Sequence, residues 1–171
     1  MKNRYNIALL PLTVSDQVIQ LADHIKFLAD DYVLGKHSYP HVTIGQFMLE
    51  ESRIEAIWQQ VRHAVSTHQV DLIFKTVSCM VGNRHSWVSL LPDACDTLIT
   101  MHYIIGRLIR NPINKAFNDY EPHMTLINSI NPVDQQVVEE HVKFALPIKD
   151  RFILTLGRSD SVGQYQDIIF Q

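Results

Sequence analysis

Two short stretches of the chain repeat one pattern of residues that can do acid–base chemistry. Each reads Pro-His-apolar-Thr-apolar, from Pro40 to Ile44 in the first half of the chain and from Pro122 to Leu126 in the second. Random ordering of this composition would give about 0.09 His-apolar-Thr-apolar tetrads. Two copies therefore indicate an internal repeat with a purpose.

The side chains of the repeat suit the cleavage of a phosphodiester. Imidazole can give or take a proton near neutral pH, so one of His41 and His123 can deprotonate the attacking group while the other protonates the leaving oxygen. The hydroxyls of Thr43 and Thr125 can donate to the non-bridging phosphate oxygens, where negative charge grows. We expect both histidines to be catalytic and both threonines to bind substrate, with no metal or cofactor required. Which histidine acts as the base depends on how the substrate lies, and the sequence leaves it open.

The repeated tetrad resembles the hallmark of the two-histidine (2H) phosphoesterases, which include bacterial 2′–5′ RNA ligase-like proteins and cyclic nucleotide phosphodiesterases. Their motif is His-x-Thr/Ser-apolar in each of two similar lobes, and both copies here have the Thr form: His41-Val42-Thr43-Ile44 and His123-Met124-Thr125-Leu126. The resemblance implies an α+β fold with two pseudo-symmetric lobes of antiparallel β-sheet, outer helices and a central cleft. It also implies a nucleotide or short RNA as substrate.

The flanking segments predict the elements that must position the four side chains. Alternate residues of a strand share a face, so the His and Thr of each tetrad would project together, about 6–7 Å apart along the backbone. Apolar residues at steps of three and four, with capping signals, predict four helices. The first follows the N-cap Ser15, the second begins at Ile54, the third opens at Pro92, and the fourth covers about 133–144 with Asn131 as its N-cap. Besides the two motif strands, β-rich runs predict strands over 5–12, 70–81, 86–91, 152–156 and 165–170. The connections are predicted as loops over 30–38, 113–121 and 157–163, a turn at 82–83, and a helix end at 111–112. The order β-α-β-α-β-β-α-β-α-β-β favours an α+β fold with antiparallel pairing.

The composition bounds the class of protein. A chain of 171 residues without a Gly-, Pro- or Ser-rich linker predicts a single domain, residues 1–171, with a continuous core. The formal charge of −3 and pI near 6.3 argue against a broad nucleic-acid-coating surface, but allow a short nucleotide in a local cleft. Cys79 and Cys95 form no framework of paired spacings, which favours a reducing compartment. No stretch resembles a signal-peptide core or a membrane span, so we expect a cytoplasmic monomer with no membrane partner.

Several other side chains are weaker candidates. Four aromatic residues could stack on a base, although core packing is the favoured interpretation for each: Tyr39, Trp87, Tyr120 and Tyr165. Two arginines in predicted loops could meet phosphate but are expected to be solvated: Arg84 and Arg158. His37 and His41 are four residues apart, but Pro40 prevents a helix between them. In an extended segment their backbones are too far apart for a joint metal site.

The favoured function is metal-independent hydrolysis of a cyclic phosphate or 2′–5′ phosphodiester of a nucleotide or RNA end. Three alternatives stay open at the level of sequence. The same groups could catalyse the reverse reaction, as a 2′–5′ RNA ligase. The chain could instead be a nucleotide- or RNA-binding module without turnover, or a structural, partner-binding domain.

Overall fold

The strands and helices follow the predicted order, with one additional short strand, β2 (Tyr32–Val33). The structure is a computed structural model that describes residues 2–35, 37–81, 85–93, 95–109, 113, 120–161 and 163–171. Its strands and helices, in chain order, are β1 (Lys2–Pro11), α1 (Ser15–His24), β2 (Tyr32–Val33), β3 (Val42–Glu50), α2 (Ile54–Ala64), β4 (Gln69–Val81), β5 (Ser86–Pro92), α3 (Asp96–Leu108), β6 (Met124–Ser129), α4 (Gln135–Val142), β7 (Ile148–Ser159) and β8 (Tyr165–Phe170).

The described strands form one antiparallel sheet whose order, apart from β2 and β8, is symmetric about the central β4–β7 pair. The order of the strands across the sheet is β2-β6-β5-β4-β7-β1-β3. Strand β8 pairs with the C-terminal part of β7. Around the central β4–β7 pair, β5 corresponds to β1, and β6 corresponds to β3. Each half of the chain thus supplies one strand-helix-strand-helix-strand unit, β1-α1-β3-α2-β4 and β5-α3-β6-α4-β7. This is the α+β arrangement with two pseudo-symmetric lobes that the sequence predicted, and β4 and β7 join the lobes into a single sheet.

The first motif strand, β3, contains a β-bulge directly after its threonine. Thr43 pairs with Ala8 of β1 and Gly45 pairs with Ile7, which leaves Ile44 as an extra residue between the two pairs. A bulge shifts the alternation of side chains by one position. Residues beyond Ile44 therefore point to the opposite face from the one that simple alternation predicts.

The second motif strand, β6, contains the same bulge at the equivalent place. Thr125 pairs with Ser89 of β5 and Ile127 pairs with Val88, which leaves Leu126 between the two pairs. The likeness of the two motifs thus extends from the sequence to the backbone register.

Helix α3 packs closely on the motif strand β3. A Cβ on Gly45 would lie 3.2 Å from Ile109 Cδ1 and 3.3 Å from Ile105 Cγ2, which is already tight. Ile105 belongs to the buried face of α3, together with the residues that the apolar periodicity predicted: Leu98, Met101 and His102. The helix therefore supports the backbone of the first motif from behind.

Two predicted helix starts are wrong, by four residues for α3 and by two for α4. Strand β5 continues through Pro92, and α3 begins only at Asp96. Helix α4 begins at Gln135 after the N-cap Asp134, whose carboxylate accepts a 2.8 Å hydrogen bond from Gln136 N. The predicted cap, Asn131, instead donates from Nδ2 to Asp30 Oδ2 at 2.7 Å. In both cases a side-chain or strand contact made elsewhere in the fold takes precedence over the local capping signal.

Two predicted loops contain strand residues. Strand β2 lies within the predicted loop 30–38, and β7 extends to Ser159, inside the predicted loop 157–163. The predicted turn at 82–83, the helix end at 111–112 and most of the loop 113–121 lie outside the described residues. None of the helices in the described part of the chain has the length and apolar character that a membrane span requires.

Candidate active site

The two motif histidines are held in the same way at the start of their strands. His41 Nδ1 lies 2.7 Å from the carbonyl oxygen of Tyr39, and His123 Nδ1 lies 2.8 Å from that of Glu121. A carbonyl can only accept, so in each ring Nδ1 carries a hydrogen and donates it. Nε2 is then the nitrogen left for a ligand: a proton acceptor in the neutral ring and a donor in the cation.

Both motifs face one cavity. A hollow of about 620 Å³ is lined by all four predicted site residues, His41, Thr43, His123 and Thr125. Each of the four side chains is half-buried, so each retains a surface for a ligand. The pseudo-symmetry of the sheet therefore brings the two sequence-distant pairs onto one site.

Aromatic residues surround His41. Its ring centroid lies 5.5 Å from that of Tyr165, which in turn packs edge-to-face against Tyr39 at 6.4 Å. The backbone also fixes this corner, because Tyr39 N donates to the Tyr165 carbonyl at 2.9 Å. Burial lowers the pKa of His41 from 6.5 to about 4; the hydrogen bond to Tyr39 opposes this lowering and the neighbouring His123 adds to it. His41 is therefore neutral at neutral pH, with Nε2 able to accept a proton.

The hydroxyl of Thr43 is oriented by a buried amide. Asn6 of β1 is fully buried and its Nδ2 donates to Thr43 Oγ1 at 3.2 Å. Because this oxygen accepts from Asn6, its own hydrogen remains available for a ligand. Thr43 is thereby prepared as a donor towards the cavity.

Two stacked rings hold the backbone around the first bulge. Tyr120 Oη donates to the Thr43 carbonyl at 2.7 Å, and His102 Nδ1 lies 2.6 Å from the Ile44 carbonyl. The His102 and Tyr120 rings stack with centroids 4.0 Å apart and planes 2° from parallel. Burial raises the pKa of Tyr120 further above its ordinary value, so the phenol keeps its hydrogen at neutral pH.

Each motif carries an amide side chain five residues after its histidine. Gln46 and Asn128 both line the cavity, because the bulge returns the fifth residue to the face of the His and Thr. Gln46 is fully engaged: Oε1 accepts from Arg4 Nη2 at 2.6 Å, and Nε2 donates to the Gly163 carbonyl at 3.0 Å. Sequence reasoning ended the repeat at the tetrad and missed these residues, although the shared amide is visible in the sequence.

A larger cavity adjoins the site. It measures about 800 Å³ and shares Arg4, Asp160 and Gln166 with the motif cavity. None of the described residues that line it belongs to a motif, so the smaller cavity is the one in which acid–base chemistry can occur.

The family follows from a match over most of the chain. The model of the 2′-5′ RNA ligase superfamily matches residues 9–155. The chain belongs to this superfamily. It is thus a 2H phosphoesterase, as the repeated tetrad predicted. A comparison with curated protein sequences gave no match.

Solved structures of similar fold include other 2H phosphoesterases. E. coli LigT in complex with 3′-AMP superposes with a TM-score of 0.63 at 13% identity, covering 100% of this chain and 95% of LigT. Kluyveromyces marxianus Usb1 gives a TM-score of 0.55 at 14% identity, covering 94% of each chain. A protein described only as a phosphoesterase gives 0.58 at 12% identity and covers 100% of each chain. At these identities the likeness concerns the fold.

The residues that the sequence suggested more weakly for base stacking, phosphate contact or metal binding lie in different parts of the structure. Trp87 lines the motif cavity, as does His37, which sequence reasoning had considered only for a metal. Arg158 lies at the end of β7, not in a loop, and forms an ion pair with Glu51 beside the larger cavity. Arg84 lies outside the described residues.

The described residues of this chain contain no cluster of metal-ligating side chains. There, no set of three or more His, Cys, Asp or Glu side chains is placed to hold a metal ion. Cys79 and Cys95 are both free thiols and half-buried.

Proposed function

We propose that this protein hydrolyses a cyclic phosphate or a 2′–5′ phosphodiester of a nucleotide or RNA end, without a metal ion. One observation carries the proposal. His41 and His123 are each tied through Nδ1 to a backbone carbonyl and line one cavity with Thr43 and Thr125. This arrangement supplies two Nε2 atoms and two hydroxyls, which general acid–base cleavage of a phosphodiester requires.

His41 acts as the base and His123 as the acid. The lowered pKa of His41 keeps its imidazole neutral, so Nε2 takes a proton from water as the water oxygen bonds to phosphorus. The bond from phosphorus to the leaving oxygen breaks, and that oxygen receives the proton from Nε2 of protonated His123. The reaction leaves a phosphomonoester, a hydroxyl, a protonated His41 and a neutral His123. Proton exchange with water resets the pair.

The threonines stabilise the charge that grows on phosphate. Thr43, whose Oγ1 accepts from Asn6, donates its hydroxyl hydrogen to one non-bridging oxygen. Thr125 takes the equivalent place in the second motif. Such donors act more strongly in a half-buried cavity than in water, because the local dielectric constant is lower.

A nucleotide is the substrate class that the comparisons support. E. coli LigT, of the same fold, has been crystallised with 3′-AMP and with ATP. A cavity of about 620 Å³ is of the size that holds such a ligand. We extend the class, and not the particular nucleotide, to this chain.

A product assay tests the proposal. Nucleoside 2′,3′-cyclic phosphates and 2′–5′ dinucleotides are incubated with the wild type and with a His41→Ala, His123→Ala double variant, and the remaining phosphate is located by NMR. We expect a single phosphomonoester product from the wild type and none from the double variant. Recovery of every substrate unchanged from the wild type would refute hydrolysis and favour a binding module.

A chelator tests the metal-free part separately. EDTA in excess should leave the turnover of wild-type protein unchanged. Loss of turnover, restored by one divalent cation, would contradict this part and leave the role of the histidines to be tested by substitution.

The family name makes ligation the second candidate. The reverse reaction uses the same two histidines with exchanged roles. Incubation of a 2′,3′-cyclic phosphate end with a 5′-hydroxyl end, followed to equilibrium, measures the direction. Accumulation of the 2′–5′ linked product would favour the ligase.

A further inference from the structure

We propose that one wall of the cavity is a nucleobase platform formed by Tyr32, Met80, Trp87 and Asn128. This inference rests on the proposed nucleotide substrate and names the surface that recognises its base. It also places the nucleoside on the side of His123 rather than that of His41.

The four residues form one row across four strands. Met80 of β4 pairs with Trp87 of β5, Trp87 pairs with Asn128 of β6, and Asn128 pairs with Tyr32 of β2. Directly opposed residues in a sheet point to the same face. All four side chains line the cavity, and all four are half-buried. With strands about 4.8 Å apart, the row spans about 14 Å, which is long enough for a base and its ribose.

The equivalent row in the other lobe is occupied by protein contacts. Asn6 pairs with Gln46 there, as Trp87 pairs with Asn128 here. Asn6 donates to Thr43 through Nδ2, and its Oδ1, which has no hydrogen-bond partner among the described residues, is unreachable for a ligand because Asn6 is fully buried. Gln46 bonds to Arg4 and to the Gly163 carbonyl. The polar side chains of that wall therefore hold the first motif and the connection between β7 and β8.

Asn128 differs from Gln46 in having an unused acceptor. Its Oδ1 is buried and, within the described part of the chain, has no hydrogen-bond partner. A buried acceptor without a donor destabilises the fold. The amide lines the cavity, and a rotation of the side chain that turns the buried Oδ1 towards a ligand would let the ligand donate to it. Every nucleobase has a suitable donor, either an exocyclic amine or a ring N–H.

Trp87 provides the surface on which the base lies. Indole offers the largest aromatic face of any side chain, and stacking on it accepts any base. Met80 beside it adds a polarisable thioether that packs well on aromatic rings. A sugar phosphate without a base would leave both the ring face and the Asn128 acceptor unused. The wall therefore selects nucleotides over other phosphodiesters.

Binding tests the platform without reference to turnover. The probes are adenosine 3′-monophosphate, ribose 3-phosphate and inorganic phosphate. The chain has two tryptophans, and Trp58 is buried in the core, stacked with Phe170 at 6.2 Å. In the wild type and in Trp58→Phe, we expect the adenosine nucleotide to quench fluorescence and to bind about 5- to 150-fold more tightly than ribose 3-phosphate. Equal affinities without quenching would overturn the proposal.

Substitutions locate the effect. Trp87→Ala and Asn128→Ala should each reduce the preference for the nucleotide over ribose 3-phosphate, by about tenfold, and leave the affinity for inorganic phosphate unchanged. Trp87→Phe should retain most of the preference. Gln46→Ala is the matched control, because it removes the equivalent amide from the other wall and should leave the ratio unchanged. A preference that survives both Trp87→Ala and Asn128→Ala would place the base elsewhere.

Turnover separates failure of the platform from failure of the proposed function. If the nucleotide binds and quenches as expected but no phosphodiester is cleaved, the hydrolase assignment fails and the platform stands. If nucleoside 2′,3′-cyclic phosphate and ribose 2,3-cyclic phosphate are cleaved with the same kcat/KM, the hydrolase stands and the platform fails.

Discussion

The hydroxyl of Tyr120 donates a 2.7 Å hydrogen bond to the backbone carbonyl of Thr43. Tyr120 lies three residues before His123, so the approach to the second motif holds the backbone of the first. The same ring stacks on His102, which bonds the next carbonyl, that of Ile44. The two motifs are therefore coupled through direct contact as well as through the shared sheet.

Replacing Tyr120 with Phe should impair catalysis more than binding. Phe keeps the stack on His102 but removes the donor to Thr43, which lowers the free energy of unfolding by about 0.5–1.5 kcal/mol. If Thr43 acts on transition-state charge, a small displacement lowers kcat by up to about 100-fold, with KM little changed. Steady-state kinetics and chemical denaturation measure both effects. Tyr103→Phe on the exposed face of α3 is the control; an unaltered kcat in Tyr120→Phe would mean that this bond does not position Thr43.

The two histidines should be equally indispensable. His41→Ala and His123→Ala are each expected to reduce kcat by roughly 10²–10⁴-fold, because each removes one proton-transfer group. Single-turnover assays with a nucleoside 2′,3′-cyclic phosphate measure the loss. His63→Ala, on the exposed face of α2, controls for the general effect of losing an imidazole. Comparable activity in His41→Ala and His63→Ala would remove His41 from the mechanism.

The threonines should depend on their hydroxyl and not on their shape. Thr43→Val keeps the size and the β-branched form, yet removes the donor that Asn6 orients, and should lower kcat by about 10²–10³-fold. Thr43→Ser keeps the hydroxyl and should retain most of the activity. The same pair of substitutions at Thr125 tests the second motif. Equal kcat values for the Val and Ser variants would show that phosphate contact does not occur through these side chains.

The pH dependence should reflect the lowered pKa of His41. A base with a pKa of about 4 is neutral at any higher pH, so the acidic limb of kcat/KM should lie near pH 4, well below the 6.5 of a free imidazole. His123→Ala should raise the pKa of His41, because it removes a neighbour that contributes to the lowering. NMR titration of the His41 ring in both proteins measures this directly. An acidic limb near 6.5 would indicate that burial does not control the base.

Gly157 should tolerate no side chain. A Cβ at this position of β7 would overlap the Asp167 carbonyl of β8 and the ring of Tyr165. Gly157→Ala should therefore separate β8 from β7 and lower the free energy of unfolding by about 1–3 kcal/mol. Turnover should fall as well, since Tyr165 packs against His41. Gly45→Ala, where the nearest atoms are the ends of Ile105 and Ile109, should cost less; an equal loss in both variants would contradict the overlap.

Local chemistry made it predictable that the two motifs would line one cavity, whereas the register of the motif strands did not follow from the sequence. His41, Thr43, His123 and Thr125 were predicted because a repeated spacing of reactive side chains is improbable by chance. Gln46 and Asn128 were missed because simple alternation points the fifth residue after each histidine away from the site. Only the bulges at Ile44 and Leu126, which depend on pairing with β1 and β5, return it to the same face.

Element types were predicted well, and element ends were predicted poorly. The apolar stripes of α2 and α3 are properties of the helices themselves, so periodicity found them. The start of α4 depends on Asp30, which binds Asn131 from a distant part of the chain. The pKa of His41 likewise depends on its burial and on His123, which lies more than eighty positions away. Contacts of this range leave no local pattern in the sequence.

The central pairing of β4 with β7 gives the candidate active site an opening of fixed width. Backbone hydrogen bonds join the lobes from the Gln69–Ile153 pair to the Phe74–Ile148 pair, so the lobes cannot swing apart without breaking the sheet. The spacing between the two imidazoles is consequently a property of the folded backbone and needs no closing motion upon substrate entry. A site with this fixed spacing would select substrates by the distance between their attacking and leaving oxygens. This selectivity would persist in crystals and at low temperature.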